Sequence, residues 1–213
     1  MNTNEPLSEL FIAFEGIDGS GKSTQIALLR SRLESLGYQV HQTCEPTTGP
    51  IGRMIRDIFS GKMEGNHHTI AGLFVADRLH HILNKKDGLI AQLTRGHVVL
   101  TDRYVLSSYA YQGAHVDLEW VIAANSESQR LLPADLHIFL DISVEVALER
   151  LRQGRDQMEL FETRENLTLV HKMYQQILER FGGSLNIVKV DGSQNQDAIA
   201  EAIWERISPL FDR

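Results

Sequence analysis

The stretch Gly16-Ile17-Asp18-Gly19-Ser20-Gly21-Lys22-Ser23 limits the possible folds more than any other part of this chain. Before it, the apolar run Phe11-Ile12-Ala13-Phe14 ends at Glu15 and reads as a buried strand. After it, Ile26, Leu29, Leu33 and Leu36 recur at helical spacing, and Gly37 is a C-terminal stop. The spacing G-x-x-x-x-G-K-[ST] between a strand and a helix is that of a phosphate-binding loop. Glycines let backbone N–H groups turn inward around phosphate oxygens, and the helix N-terminus adds partial positive charge. Lys22 supplies a point charge to the β- and γ-phosphates, and the Ser23 hydroxyl can ligate Mg2+.

The rest of the chain alternates strands and helices without repeats or low-complexity linkers. Tyr38-Gln39-Val40-His41 is a weaker second strand, followed by a loop rich in proline and glycine and a short helix around residues 51–59. Thr69–Leu93 reads as one long helix. Val98-Val99-Leu100 is a third strand that stops at Thr101-Asp102-Arg103, and Leu136–Leu140 is a fourth, left at Asp141 with Ser143 able to cap the next helix. Ile187–Val190 is the last strand. Ser193-x-x-Gln196 has the form of a capping box for a final helix with Ile199, Ile203 and Ile207 on one face. Strands separated by helices predict an α/β fold with a mainly parallel sheet of about five strands. Strands that are apolar without alternation fit burial on both sides.

Composition narrows the function. With 213 residues, 42% of them hydrophobic and 23% charged, the chain has ordinary globular makeup. Residues 1–9 form a polar tail, and 10–213 are expected to form one domain. Lys+Arg 21 against Asp+Glu 28 leaves a net charge of −7, which argues against a broad nucleic-acid or anionic-membrane surface. Neither a basic, apolar leader nor a membrane-length apolar run is present, so a soluble cytoplasmic protein is expected. The single cysteine, Cys44, cannot form an internal disulfide and reads as buried and inert. An acidic chain that binds a polyanion must gather its positive charge in one place.

A phosphate loop by itself does not name a reaction. A GTPase needs an N/T-K-x-D guanine motif and a D-x-x-G switch, and neither is expected here, since Asp87-Gly88 lacks the surroundings of a switch. A large ATPase needs more chain. An aspartate at the end of a second buried strand, here Asp102, is where a Mg2+-bound water is held in phosphate-loop enzymes, and Arg103 beside it would face a phosphate.

Three segments carry a resemblance: E-G-x-D-G-x-G-K-S-T at Glu15–Thr24, D-R-Y-x-x-S-S-x-A-Y-Q-G at Asp102–Gly113, and P-x-D-L-x-x-x-L-D at Pro133–Asp141. Together with Val190-Asp191-Gly192-Ser193, they make the chain similar to the thymidylate (dTMP) kinase family over nearly its whole length. The resemblance implies a P-loop NTPase fold of the nucleoside monophosphate kinase type with a short lid at about 150–162. The implied reaction is transfer of the ATP γ-phosphoryl group to dTMP, giving dTDP, with Mg2+, in a homodimer. ATP would be held by Gly16, Ile17, Asp18, Gly19, Ser20, Gly21, Lys22, Ser23, Thr24 and Arg150, and the metal by Ser23 and Asp102, partly through water. For dTMP, the resemblance points to Asp18 at the sugar, Phe74 stacked on thymine, Arg78 on its carbonyl edge and Arg103 on the phosphate. Ser108 and Tyr111 line base and deoxyribose, Arg56 lies near the phosphate, and Glu45 and Gln112 complete the substrate site. The i,i+4 spacing of Phe74 and Arg78 independently puts both on one helical face. The plainer alternatives are a core phenylalanine and an exposed pair of Arg78 with Asp77.

Arg150-Leu151-Arg152-Gln153-Gly154-Arg155 gathers three arginines around a glycine. A charge run of this kind usually faces water. In thymidylate kinases the catalytic arginine sits either in the glycine loop or in the lid. The loop position here is Gly19, so the resemblance gives the duty to Arg152 or Arg155, as in the bacterial subgroup, with Lys22, Asp102 and Arg103 as the other catalytic residues. Phe161-Glu162 resembles the aromatic–glutamate pair at the lid's end. The family's usual R-E-P-G-G-T is replaced by Cys44-Glu45-Pro46-Thr47-Thr48-Gly49, which could shift phosphate holding onto Arg53 or Arg56. His67-His68 and His80-His81 suggest no metal site. A deoxynucleoside kinase and a nucleotide-binding regulator without turnover are the competing readings. Asp18 and Asp102-Arg103-Tyr104 disfavour the first, and the intact Lys22, Ser23 and arginines disfavour the second.

Overall fold

The strands lack alternation because both faces of the sheet are covered. The computed structural model describes residues 10–154 and 163–211. Strand β1 (Phe11–Glu15) leads into α1 (Lys22–Ser35), β2 (Val40–Cys44) and α2 (Pro50–Phe59). Helices α3 (His67–Leu83) and α4 (Leu89–Thr94) precede β3 (Val98–Asp102). Three short helices follow: α5 (Val105–Tyr111), α6 (Leu118–Ala124) and α7 (Ser126–Leu131). The chain then forms β4 (Leu136–Asp141), α8 (Val144–Gly154), α9 (Arg164–Phe181), β5 (Ile187–Asp191) and α10 (Gln196–Ile207).

The five strands are all parallel in the order β2-β3-β1-β4-β5. Phe11, Ala13, Val99 and Phe139 point into one core, shared with α5 and α9. Ile12, Phe14, Leu100 and Ile138 point into the other, against Ile26, Leu29 and Leu33 of α1 and Ile199, Ile203 and Ile207 of α10. β1 and β3 are neighbours, but the chain leaves β1 toward β2 and leaves β3 toward β4. Opposite departures from adjacent parallel strands open a crevice at their C-terminal ends. The glycine loop closes β1 and Asp102 ends β3, so both sit at that crevice.

Several local expectations are corrected. The helix expected over Thr69–Leu93 breaks after Leu83, where the Asn84 side chain accepts from Lys86 N–H at 2.9 Å and turns the chain before α4. The second strand begins at Val40 because the Tyr38 N–H is still held in the turn closing α1, donating to Leu33 O at 3.1 Å, and pairing with β3 starts at Val40 opposite Val98. Leu36 lies past the end of α1 and is exposed, while Gly37 turns the chain at φ 93°. The Ser193–Gln196 capping box does not form: Asn195 caps α10 by accepting from Ala198 N–H at 2.9 Å, and Ser193 Oγ donates instead to Asp191 at 2.6 Å. Ser143 does cap α8, accepting from Val146 N–H at 3.3 Å. Among the described residues no helix is long and apolar enough to cross a membrane.

Candidate active site

The loop after β1 bends at Gly16, Gly19 and Gly21, with φ 140°, 80° and 94°. These are left-handed values that favour glycine. A Cβ at Gly19 would stand 2.5 Å from the carbonyl oxygen of Ala147 in α8, so the loop is also pressed against that helix. Lys22 is buried, and its Nζ donates to Gly16 O and Ile17 O, each at 3.2 Å. Burial and the nearby Arg103 charge lower its pKa, while Asp102, Asp18 and Glu15 oppose them. Ser23 Oγ donates to Asp102 Oδ2 at 2.8 Å. The other oxygen, Asp102 Oδ1, is buried without a hydrogen-bond partner and lies 3.9 Å from Lys22 Nζ. A hydroxyl and a carboxylate converging beside the phosphate cradle are hard oxygen donors of the kind Mg2+ takes.

Arg103 is the one non-glycine residue with positive φ among those described, at 76°. Its guanidinium lies over the Tyr111 ring at 4.4 Å, pairs with Asp18, and donates to the Tyr111 hydroxyl at 3.1 Å. That hydroxyl donates to Asp18 Oδ2 at 2.8 Å and accepts from Asp18 N–H at 2.9 Å. Burial pushes the Asp18 carboxyl up, but Arg103 and Lys22 outweigh it and hold the group below the usual carboxylate range. Asp18, Arg103 and Tyr111 therefore form one charged unit joining the glycine loop to α5.

At the other end stand Phe74 and Arg78 of α3. Phe74 packs with Ile55, Ile58 and Ile70 and still lines the cleft. Arg78 is 1% exposed, and it does not pair with Asp77. Its Nε and Nη2 reach Glu45 Oε2 at 2.8 and 2.7 Å, Nη2 donates to Tyr104 O at 3.1 Å, and Nη1 donates to Asn125. Asp77 instead accepts from the Thr47 N–H and hydroxyl, each at 2.6 Å. Glu45 is also buried and contacts His81 Nδ1 at 3.1 Å, so it anchors Arg78 while lining the cleft. Arg56 donates to the carbonyls of Pro46, at 2.9 Å, and Thr47. Ser108 Oγ on α5 and Gln112 Oε1 just past its end are buried without hydrogen-bond partners.

One cleft of about 880 Å³ connects these groups. It gathers Asp18, Gly19, Ser20, Gly21, Lys22, Ser23, Thr24, Glu45, Arg56, Phe74, Arg78, Asp102, Arg103, Ser108, Tyr111, Gln112 and Arg150. Gly16 and Ile17 do not line it but hold Lys22 through their carbonyls. Arg150 lies in α8, its Nη1 3.5 Å from Ser20 O. Arg152 is exposed in the last turn of α8, between Leu151 and Gln153, which line the cleft. Arg155 and Phe161-Glu162 lie outside the described residues.

Cys44 is exposed rather than buried and lines the cleft, beside Asp102 in the strand register. Partial desolvation against the strand end and the Asp102 charge push its thiol pKa up, away from reactivity. Two letter patterns expected to be absent do occur. Asn84-Lys85-Lys86-Asp87 spells N-K-x-D, but it forms the turn after α3 and none of the four residues lines the cleft. Asp18-Gly19-Ser20-Gly21 spells D-x-x-G, but it is the phosphate loop itself and no separate switch. Sequence reasoning missed Gln25, Gln194 and Gln196 at the donor end, where Gln25 Nε2 donates to Gln196 O at 3.0 Å. It also missed the His67–His115 stack at 4.2 Å. Both are pairings between distant segments, with no local signature.

A phosphate loop and an aspartate at the ends of adjacent parallel strands, opening into one arginine-lined cleft, define a phosphotransferase of the nucleoside monophosphate kinase type. The family model for thymidylate kinase matches residues 14–203. A protein named "Probable thymidylate kinase" from Methanococcus aeolicus is 40% identical over 205 residues, 95% of this chain and 96% of its own. Thymidylate kinases from Akkermansia muciniphila and Caldicellulosiruptor saccharolyticus are 37% and 36% identical, covering 94% and 95% of this chain and 92% and 95% of theirs. The chain belongs to the thymidylate kinase family.

Proposed function

We propose that this enzyme transfers the γ-phosphoryl group of ATP to the 5′-phosphate of dTMP, giving dTDP. The observation that carries the reading is the single cleft running from Lys22, Ser23 and Asp102 to Phe74, Arg78 and Ser108, with Arg103 between. Lys22 and the loop N–H groups bind the donor phosphates, and Arg150 flanks the adenine. Arg103, kept cationic by Asp18, holds the acceptor phosphate in line with the donor. No base is required, because the attacking oxygen belongs to an ionised phosphate. Tyr111 and Asp18 close the space beside the deoxyribose, Phe74 offers a face to thymine, and the unpartnered Ser108 and Gln112 offer polar contacts to the base edge. Arg56, tied to the Pro46 and Thr47 carbonyls, would take over the phosphate contact of the family arginine that Cys44 replaces.

Ser23 and Asp102 are the residues that would hold Mg2+, which would supply positive charge to offset the charge developing during transfer. The catalytic lid arginine of the bacterial subgroup is assigned to Arg152 or Arg155, because Gly19 leaves the loop without a side chain. A cytoplasmic homodimer completes the reading. Steady-state ADP release with Mg2+, ATP and a panel of acceptors tests it. Turnover on dTMP with none on thymidine is expected, and turnover on thymidine but not dTMP would overturn it.

A further inference from the structure

Glu15, the last residue of β1, is fully buried in a strand otherwise made of apolar residues. A charge in such a place is costly unless it is fully paired. Its Oε1 accepts from Tyr104 N–H at 3.1 Å. Its Oε2 accepts from the Ser107 hydroxyl at 2.5 Å and from the Tyr174 hydroxyl at 3.3 Å. An ionised carboxylate only accepts, so the single Ser107 hydroxyl proton is committed to it. The Ser107 lone pairs are thereby left to accept, and Arg103 Nη1 donates to Ser107 Oγ at 3.2 Å.

The same carboxylate steadies the backbone. Arg103 sits at φ 76°, a conformation unfavourable for a non-glycine residue. Arg103 N–H donates to Phe14 O at 2.9 Å, Thr101 Oγ1 donates to Arg103 O at 3.0 Å, and the next N–H, that of Tyr104, goes to Glu15. These bonds turn the Arg103 side chain back over the glycine loop, toward Gly16 O at 3.4 Å.

We infer that Glu15 is a positioning residue for the acceptor phosphate, setting the Ser107 hydroxyl and the Arg103–Tyr104 backbone so that Arg103 points across the loop. The inference rests on the reading of Arg103 as holder of the dTMP phosphate. Glu15→Gln keeps the volume but puts an amide N–H where the carboxylate accepted, so the Ser107 hydroxyl proton loses its acceptor and turns away, disturbing the geometry in which Arg103 donates to Ser107. Ser107→Ala removes the relay and leaves the Glu15–Tyr104 bond intact.

Glu15→Gln, Ser107→Ala, their double variant and Arg103→Ala are compared by KM for dTMP, KM for ATP, kcat and thermal unfolding. Each single change is expected to raise the KM for dTMP about tenfold, with the KM for ATP within about twofold of the parent. The double variant is expected to match the worse single variant, because both act through one chain. If Glu15→Gln does not fold, Ser107→Ala and Arg103→Ala carry the test. Parental KM for dTMP in Ser107→Ala alongside a raised value in Arg103→Ala overturns this inference alone, as does a parallel rise for both substrates. Parental KM for dTMP in Arg103→Ala overturns the reading of Arg103 and the inference with it.

Discussion

Ser23 Oγ donates a 2.8 Å hydrogen bond to Asp102 Oδ2, joining the first turn of α1 to the end of β3 across 79 residues of sequence. The two side chains meet because β1 and β3 are adjacent and in register, Phe14 opposite Asp102. Asp102 Oδ1 has no hydrogen-bond partner and faces Lys22 Nζ at 3.9 Å, so one carboxylate oxygen is still able to accept. Asp102→Asn preserves the shape and removes the charge. It is expected to lower kcat on the order of 10²-fold, with a higher Mg2+ requirement read from a metal titration of the rate.

Gly19 fixes where a catalytic arginine can be. A side chain there would meet Ala147 O at 2.5 Å and would have to adopt φ 80°. Gly19→Arg is therefore expected to disturb the packing of loop against α8 and abolish ATP binding, measured by titration calorimetry. It is not expected to restore activity to the double variant Arg152→Ala with Arg155→Ala, whose own kcat should fall on the order of 10³-fold with the KM for dTMP unchanged.

Phe74 serves both a small apolar cluster and the cleft wall. Phe74→Leu should raise the KM for dTMP about fivefold through loss of stacking. Phe74→Ala should add a loss of about 3 kcal/mol in stability, read by urea unfolding.

Glu15 also makes stability depend on pH. Burial raises its pKa, yet His137, Ser107 and Arg103 together hold it below the ordinary 4.5. A carboxyl with a depressed native pKa contributes stability that is fully present above the unfolded value and is lost as pH falls through the native one. The advantage of the parent over Glu15→Gln in urea unfolding is thus expected to be full near pH 7 and to shrink below about pH 4.5.

The elements carrying the glycine loop and Asp102 were legible because buried parallel strands are written as continuous apolar runs, as in Phe11–Phe14 and Val98–Leu100. The break at Asn84 was not, since the apolar spacing continues past it while the Asn84 side chain captures the backbone. The exposure of Cys44 was also hidden, because it depends on where the strand end meets the crevice. Phe74, Arg78, Ser108 and Tyr111, which the resemblance to thymidylate kinases assigned to the substrate site, all line the cleft. The anchoring of Arg78 by Glu45, Asn125 and Tyr104 was not legible, because it joins four segments that no local pattern connects.

The opening problem of an acidic chain binding polyanions is resolved by placement. Lys22, Arg56, Arg78, Arg103 and Arg150 all line one cleft in a chain of net charge −7. Such a cleft focuses potential inward while the rest of the surface stays acidic.

The claim that one cleft holds both nucleotides end to end is tested most directly with an adenosine and a thymidine joined through their 5′ positions by a polyphosphate chain. Inhibition competitive with both ATP and dTMP is the predicted result. Inhibition competitive with ATP alone, with dTMP still binding to the inhibited enzyme, would contradict it.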